Sequence, residues 1–216
     1  MNLLSKFFGK GGGPTKDAHL DPEVKKIFEK IERLLQDDEV QLELVEPRMK
    51  EILRRAPYYD RDPNGTGPFG LCKTNPIPVN GPVGELAYLS KLLTEGGERI
   101  LFHRIGAVDN IDIFEAVTFS GAQWAIFFLD LYHPKKSKLA PAGFKLSPNV
   151  CQFSGFHQLC PDFPYDFMEM KDREGLKMAY MAMGNIIEKI RTKAYQRPSV
   201  HKMKLELLGS ALTSST

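Results

Sequence analysis

Three consecutive segments between Arg99 and His133 show the hydrophobic pattern of β-strands. They read RILFHRI, NIDIFEAVTFSG and QWAIFFLDLYH, and the residues between them supply the Gly, Asp, Asn and Ser that hairpin turns use. The third segment is apolar on both of its alternating faces, which is typical of a central strand covered on both sides. The sequence therefore predicts an antiparallel β-meander over about residues 99–133.

Helical periodicity is found on both sides of this meander. Apolar residues recurring at i, i+3, i+4 and i+7 predict helices over about residues 22–36, 40–55 with a break at Pro47, 82–96, 172–194 and 199–208. Each predicted helix has one apolar stripe to bury, and the meander offers apolar faces. We therefore predict an α+β fold in which helices from the N-terminal and C-terminal segments cover the sheet.

The two ends of the chain differ in composition from its middle. Residues 1–10 place four apolar side chains at helical spacing beside two lysines, and a run of glycines follows. The last residues are rich in Ser and Thr. We therefore divide the chain into an amphipathic segment with a flexible leash (1–14), a single α+β domain (15–208) and a tail that we expect to be disordered (209–216).

The amphipathic segment supports two hypotheses. Its pattern, Met-x-Leu-x-x-Lys-x-Phe-Gly-Lys, resembles the start of many bacterial proteins, and the resemblance implies a bacterial source. One hypothesis is weak peripheral contact of residues 1–10 with an anionic membrane surface, since an apolar row beside lysines suits that interface. The other, which we favour, is a terminus that packs on itself or stays disordered.

Composition argues against a nucleic-acid-binding, a disulfide-stabilised or a membrane-spanning protein. The 216 residues are 42% hydrophobic and 26% charged with a formal net charge of +2, which gives no electrostatic reason to expect a nucleic-acid partner. Three cysteines in a chain without a recognisable secretory signal favour reduced thiols over a disulfide framework. No apolar run approaches the roughly 20 residues of a membrane span. We therefore expect a cytoplasmic protein, with peripheral contact at the inner face of the membrane as its alternative.

Glu115 is the first candidate for chemistry, because it interrupts an apolar strand face and a buried carboxylate needs a partner. A five-residue loop over residues 106–110 would bring His103 to that face, whereas a four-residue loop would bring Arg104. Asp130 interrupts the same face on the third strand. His103, Glu115 and Asp130 are therefore candidate acid–base or ligand-orienting residues, and the alternative that we favour is an ordinary salt bridge.

Metal binding is the second candidate chemistry. Cys151, His157 and Cys160 have the spacing C-x5-H-x2-C, and Cys72 would complete a Cys3His set suited to zinc. Structural zinc sites usually bring ligands in close pairs, and here the fourth ligand would come from a distant loop. Because cysteine also packs as a small buried hydrophobe, we expect these residues to be structural and metal-free. The sequence indicates no cofactor.

The function predicted from these patterns is modest. The chain contains no G-x-x-x-x-G-K-[ST], G-x-S-x-G or H-E-x-x-H, the local signatures of major phosphate-binding, hydrolase and zinc-protease classes. We therefore expect a non-enzymatic protein-interaction or binding module with a protein partner. The alternative is a small enzyme or ligand-binding domain with a polar pocket on the sheet face.

Overall fold

The computed structural model describes residues 22–150, 152–167 and 195–214, and a mixed five-stranded sheet lies at its centre. The strands are β1 (Ile77–Pro78), β2 (Leu92–Thr94), β3 (Ile100–Val108), β4 (Ile111–Thr118), β5 (Trp124–Asp130), β6 (Phe144–Leu146) and β7 (Gly155–Phe156). The helices are α1 (Pro22–Gln36), α2 (Asp38–Glu43), α3 (Pro47–Arg55), α4 (Gly81–Lys91) and α5 (Ser199–Ser214). The sheet has the order β1-β5-β4-β3-β7, and β2 and β6 form a separate pair.

The predicted meander and the α+β class are confirmed. Strands β3, β4 and β5 are consecutive and antiparallel, and β5 lies inside the sheet as its two apolar faces indicated. Two short strands, β1 and β7, add to the edges of the meander in parallel orientation. These edge strands arise from irregular segments whose hydrophobic pattern is too short to predict a partner.

The β3–β4 hairpin has a shorter turn than either loop length considered above. Val108 pairs with Ile111, so Asp109 and Asn110 alone form the turn, and Asp109 adopts a positive φ of 56°. The register then shifts by one residue at a β-bulge between Arg104 and Gly106. Because side chains alternate along a strand, this extra residue places His103 directly opposite Glu115.

Helices cover the sheet on both faces. On one face α4 packs against β3 and β7 and is itself covered by α1 and α2, and the main core there includes Phe102, Phe114 and Phe127. On the other face α5 lies against β3 and closes a smaller core. The buried members of that smaller core are Val108, Ile113, Ile126 and Phe128, and Leu205, Leu208 and Leu212 of α5 pack against them.

Several predicted boundaries differ from the structure. The break at Pro47 is confirmed, since Pro47 begins α3. The helix predicted to reach residue 96 ends at Lys91, because the next three residues pair with β6 as strand β2. The last helix continues through Ser214, beyond the predicted end at residue 208, and Leu212 packs on the smaller core. The amphipathic segment 1–14 and the helix predicted over residues 172–194 lie outside the described residues.

Among the helices that the structure describes, none has both the length and the apolar character needed to cross a bilayer.

Candidate functional site

Two polar clusters lie on opposite faces of the β3–β4 ribbon. The Glu115 cluster consists of His103, Glu115, Arg197 and His201 and lies beneath α5. The Glu85 cluster consists of Glu85, Arg104, Asp112 and His157 and lies beneath α4. His103 and Arg104 are adjacent in sequence and therefore point to opposite faces, one into each cluster.

In the Glu115 cluster both carboxylate oxygens have partners. His103 Nε2 lies 2.8 Å from Oε2, and His201 Nε2 lies 3.0 Å from Oε1. Arg197 donates to both oxygens, through Nε at 2.8 Å and a terminal nitrogen at 3.1 Å. The backbone N–H of Cys160 donates to His103 Nδ1 at 3.0 Å, so the ring proton of His103 sits on Nε2 and points to the carboxylate.

These contacts make Glu115 a strongly stabilised anion. Burial alone would raise its pKa, but the hydrogen bonds from His103 and His201 and the charge of Arg197 together lower the pKa to about 2. A carboxylate that stays ionised and fully hydrogen-bonded has no free lone pair directed at a substrate. The contacts match a buried salt bridge that fixes the segment before α5, and the first turn of α5, to the sheet.

The structure separates Asp130 from the other two predicted site residues. Asp130 Oδ2 lies 3.1 Å from Nε2 of His133, whose Nδ1 lies 3.1 Å from the carbonyl oxygen of Pro57. His103 and Glu115 come together as predicted, but Asp130 pairs with the loop that follows β5. Among the described residues, the three predicted side chains do not form one pocket.

The Glu85 cluster gathers residues from α4, β3, β4 and the position after β7. Glu85 comes from α4, Asp112 lies near the start of β4, and His157 directly follows β7. His157 Nε2 lies 2.8 Å from Glu85 Oε2 and 3.2 Å from Asp112 Oδ2. Arg104 binds Asp112 through both carboxylate oxygens, at 2.7 and 2.8 Å. The three potential ligand atoms of Glu85, Asp112 and His157 all lie within 4.8 Å of one another.

Glu85 differs from Glu115 in its hydrogen bonding. Its side chain is fully buried at 0% exposure, yet neither oxygen has a hydrogen-bond partner among the described residues. The His157 Nε2 proton meets hydrogen-bond geometry toward Asp112, and Glu85 is only close to it. Burial raises the pKa of Glu85 to about 8, against the smaller lowering effect of His157.

The pKa values of the neighbouring ionisable groups are shifted in the directions that their contacts require. Burial opposes the charge on His157, but the hydrogen bond with Asp112 and the close carboxylate of Glu85 raise its pKa to about 9. Burial likewise opposes the charge on Asp112, but hydrogen bonds from His157 and Arg104 lower its pKa. Perturbed ionisable groups collected around an unsatisfied carboxylate are typical of functional sites.

The sequence analysis did not identify Glu85. Its neighbours Leu86 and Leu89 fit a one-sided apolar stripe, which placed Glu85 on the side of the helix expected to be wet. In the structure, however, every residue from Gly84 to Ser90 is buried. The signal that could have indicated a buried Glu85 was composition, because the run GELAYLS has a single charged residue among small and apolar ones.

The three described residues of the candidate Cys3His set, Cys72, His157 and Cys160, do not come together. His157 lies with Glu85 and Asp112, the Cys72 thiol lies 3.3 Å from the carbonyl oxygens of Thr66 and Pro68, and Cys160 lies beside His103. Cys151 falls outside the described residues. In the part of the chain that the structure describes, Glu85, Asp112 and His157 are the group with ligand spacing.

Two other features do not form sites of comparable detail. Gly65, Gly67 and Gly70 have the spacing G-x-G-x-x-G, but they lie in turns, without the preceding strand and following helix that a dinucleotide fingerprint requires. A surface groove of about 520 Å³ lies along α2 and α3. The charged residues that line this groove form ion pairs with one another, as Glu43 does with Lys50 and Arg54, so their charges are already balanced within the groove.

Comparisons with known proteins return no match: no family model, no curated protein and no solved structure is similar to this chain.

Proposed function

We propose that this domain binds a small ligand, for recognition or catalysis, at the Glu85 cluster. The observation that supports the proposal is the buried Glu85 carboxylate, which has no hydrogen-bond partner among the described residues. A buried carboxylate that accepts no hydrogen bond is costly to the fold, and such groups are typical of functional sites. A ligand that brings positive charge or hydrogen-bond donors would supply what Glu85 lacks.

The comparison with Glu115 strengthens this argument. Both glutamates are buried to nearly the same extent, but the Glu115 carboxylate is satisfied by three side chains. An unsatisfied buried polar group costs about 1–3 kcal/mol, and more when it is charged. We therefore expect Glu115 to stabilise the fold and Glu85 to contribute little or no stability.

Solvent reaches the Glu85 cluster through its outer members. The side chains of His157 and Arg104 are each 30% exposed, whereas Asp112 and Glu85 lie beneath them. A small ligand that moves the His157 ring aside would contact Glu85 directly. This arrangement suits a small ion or polar molecule better than a polymer.

The test compares the stability of matched variants in the absence of ligand. We expect Glu85→Gln and Glu85→Met to unfold at the same denaturant concentration as the wild type or at a higher one, because they remove an unsatisfied carboxylate while keeping similar volume. Glu115→Gln serves as the control and should be clearly destabilised. Equal destabilisation of the Glu85 and Glu115 variants would show that Glu85 is structural and would overturn the proposal.

Ligand binding is tested on the same variants. A thermal-shift screen with imidazole, guanidinium and primary amines should yield compounds that stabilise the wild type and have no effect on Glu85→Gln. Compounds that stabilise both proteins equally bind elsewhere. If no compound depends on Glu85 for its effect, the ligand of this cluster is not an organic cation of these three kinds.

A second candidate function is protein binding through α5. Val200, Met203 and Leu207 recur at helical spacing on this helix and are 62%, 56% and 66% exposed. An apolar row of this kind suits an amphipathic partner helix. Stoichiometric capture of one protein by the full chain, lost in Leu207→Glu but retained in Lys204→Glu, would support this function. If the Leu207→Glu variant captures the partner unchanged, the apolar row of α5 is not the binding surface.

A further inference from the structure

We propose that Glu85, Asp112 and His157 bind a divalent transition-metal ion. The inference rests on the proposed function, since it identifies the ligand of the same cluster. It is carried by the convergence of three donor atoms from separate parts of the fold and by the buried carboxylate of Glu85 among them, which accepts no hydrogen bond from the described residues.

The spacing of the donor atoms fits a shared ion. Nε2 of His157 lies 2.8 Å from an oxygen of Glu85 and 3.2 Å from an oxygen of Asp112. An ion about 2.1 Å from each ligand separates neighbouring donors by about 3.0 Å in octahedral and about 3.4 Å in tetrahedral geometry. The two distances from His157 Nε2 therefore lie within a few tenths of an ångström of the octahedral spacing, and the oxygens of Glu85 and Asp112 lie within 4.8 Å of each other.

The charges of the cluster also favour a cation. Glu85 and Asp112 together carry two negative charges when ionised, and Arg104 returns one positive charge. The bidentate contact with Arg104 holds the Asp112 carboxylate in place, as residues around metal ligands commonly do. Binding would replace the proton on His157 Nε2 with the metal and release that proton to solvent.

The donor set indicates the class of metal. One imidazole nitrogen and two carboxylate oxygens suit Zn²⁺, Co²⁺ or Mn²⁺, whereas Mg²⁺ and Ca²⁺ prefer sites made of oxygen alone. Three protein ligands leave a coordination position for water or substrate, which is the arrangement of catalytic rather than structural zinc sites.

The experiment uses the untagged full chain after treatment with a chelator. Zn²⁺ titrated by calorimetry should bind with one equivalent, and Co²⁺ should give visible d–d bands that report nitrogen and oxygen ligands. Glu85→Gln and His157→Gln should weaken Zn²⁺ binding by more than about 100-fold, since each removes a direct ligand. Asp130→Asn is the matched control, because it alters another carboxylate–histidine pair and should leave Zn²⁺ affinity unchanged.

Each outcome has a defined meaning. One equivalent of Zn²⁺ that depends on Glu85 and His157 but not on Asp130 supports the metal site. Binding that persists in Glu85→Gln, or the absence of Zn²⁺, Co²⁺ and Mn²⁺ binding at micromolar concentrations, overturns it. If metal binding fails while the ligand-free Glu85 variants are as stable as the wild type, the metal is wrong and the proposed ligand site stands. If those variants are destabilised, both proposals fail.

Discussion

Glu115 and Glu85 show how differently one residue type behaves in two buried environments. Glu115 receives hydrogen bonds from two histidines and an arginine, so its ionised form is the stable one. Glu85 has the same burial without those donors, and its pKa rises. The difference between the two carboxylates therefore lies in their partners, not in their burial.

The lowered pKa of Glu115 predicts how stability depends on pH. The pKa of Glu115 is near its ordinary value of 4.5 in the unfolded chain and about 2 in the folded one, so Glu115 contributes stability that is present above pH 4.5 and is lost as pH falls toward 2. Denaturant unfolding at a series of pH values should therefore show a steeper loss between pH 5 and 2 (roughly the window of the shift) for the wild type than for Glu115→Gln.

At neutral pH the same substitution should be costly. We expect Glu115→Gln to lower the free energy of unfolding by about 3 kcal/mol, because Arg197 keeps its charge after its carboxylate is removed. A change of less than about 1 kcal/mol at pH 7 would contradict the assignment of Glu115 as the anchor of α5.

His133 gives a second residue-scale prediction. Burial opposes its charge, but the contacts with Asp130 and the Pro57 carbonyl raise its pKa, because both ring nitrogens face acceptors. This contribution to stability is present below the unfolded pKa of about 6.5 and is lost as pH rises through the folded value. Asp130→Asn should lower the pKa of His133, as measured by NMR titration of its ring protons. An unchanged titration would show that Asp130 is not its main partner.

At the scale of elements, β7 depends on a close approach of backbone to side chain. A Cβ atom added at Gly155 would overlap the Phe102 ring of β3, so only glycine lets β7 pair at this distance. His157 directly follows β7. The position of the Glu85 cluster therefore depends on a contact made by a residue that carries no side chain.

Gly155→Ala tests this dependence. We expect a loss of about 1–3 kcal/mol in unfolding free energy through overpacking. The matched control is Gly209→Ala in α5, where an added Cβ meets nothing within 4 Å. That change should be neutral or stabilise by up to about 1 kcal/mol. Chemical denaturation measures both, and equal effects of the two substitutions would contradict the close contact.

Elements with a strong local pattern were predictable and those defined by distant partners were not. The alternation of Ile111, Ile113 and Val117 and the turn at Gly121 sufficed for the β4–β5 hairpin, whose register matches that pattern. By contrast, Leu92–Thr94 continues the leucine stripe of α4 yet forms β2, because β6 lies about fifty residues further along the chain. Short apolar runs are decided by such partners rather than by periodicity.

At the scale of the whole molecule, α5 closes the second face of the sheet. Its apolar residues cover Val108, Ile113, Ile126 and Phe128, and Arg197 and His201 satisfy Glu115 beneath it. Removing it would expose a small core and leave a buried carboxylate with His103 alone. Both effects act on the same face of the same three strands.

Truncation tests this role of α5. A chain ending at Gln196 should lose cooperative thermal unfolding and bind a hydrophobic dye, because the combined loss approaches the roughly 5–15 kcal/mol that stabilises most domains. A chain ending at Thr213 is the control and should unfold like the full protein. Cooperative unfolding of the shorter chain near the wild-type temperature would show that the sheet is stable without α5.

The candidate site was only partly predictable for a related reason. His103 with Glu115 followed from strand pairing, which is a local property once the hairpin is known. Glu85 was missed because a helix acquires its fully buried character only when α1 and the sheet pack on its opposite sides. His157 was considered as a metal ligand, but its spacing along the chain grouped it with cysteines. That spacing carries no information about α4, which supplies Glu85.

The opposite orientations of His103 and Arg104 also limit where the chain can change length. Asp112 and Glu115 are three positions apart and so serve opposite faces of β4. One residue inserted between them would turn both carboxylates to the same side of β4. One of the two clusters would then lose the carboxylate that β4 supplies to it. Deleting Ile105 would instead give an unbroken ladder with His103 still opposite Glu115. Insertions and deletions in this protein should therefore be tolerated at the bulge and the hairpin turns, and excluded from the four-residue stretch between the two acids inclusive.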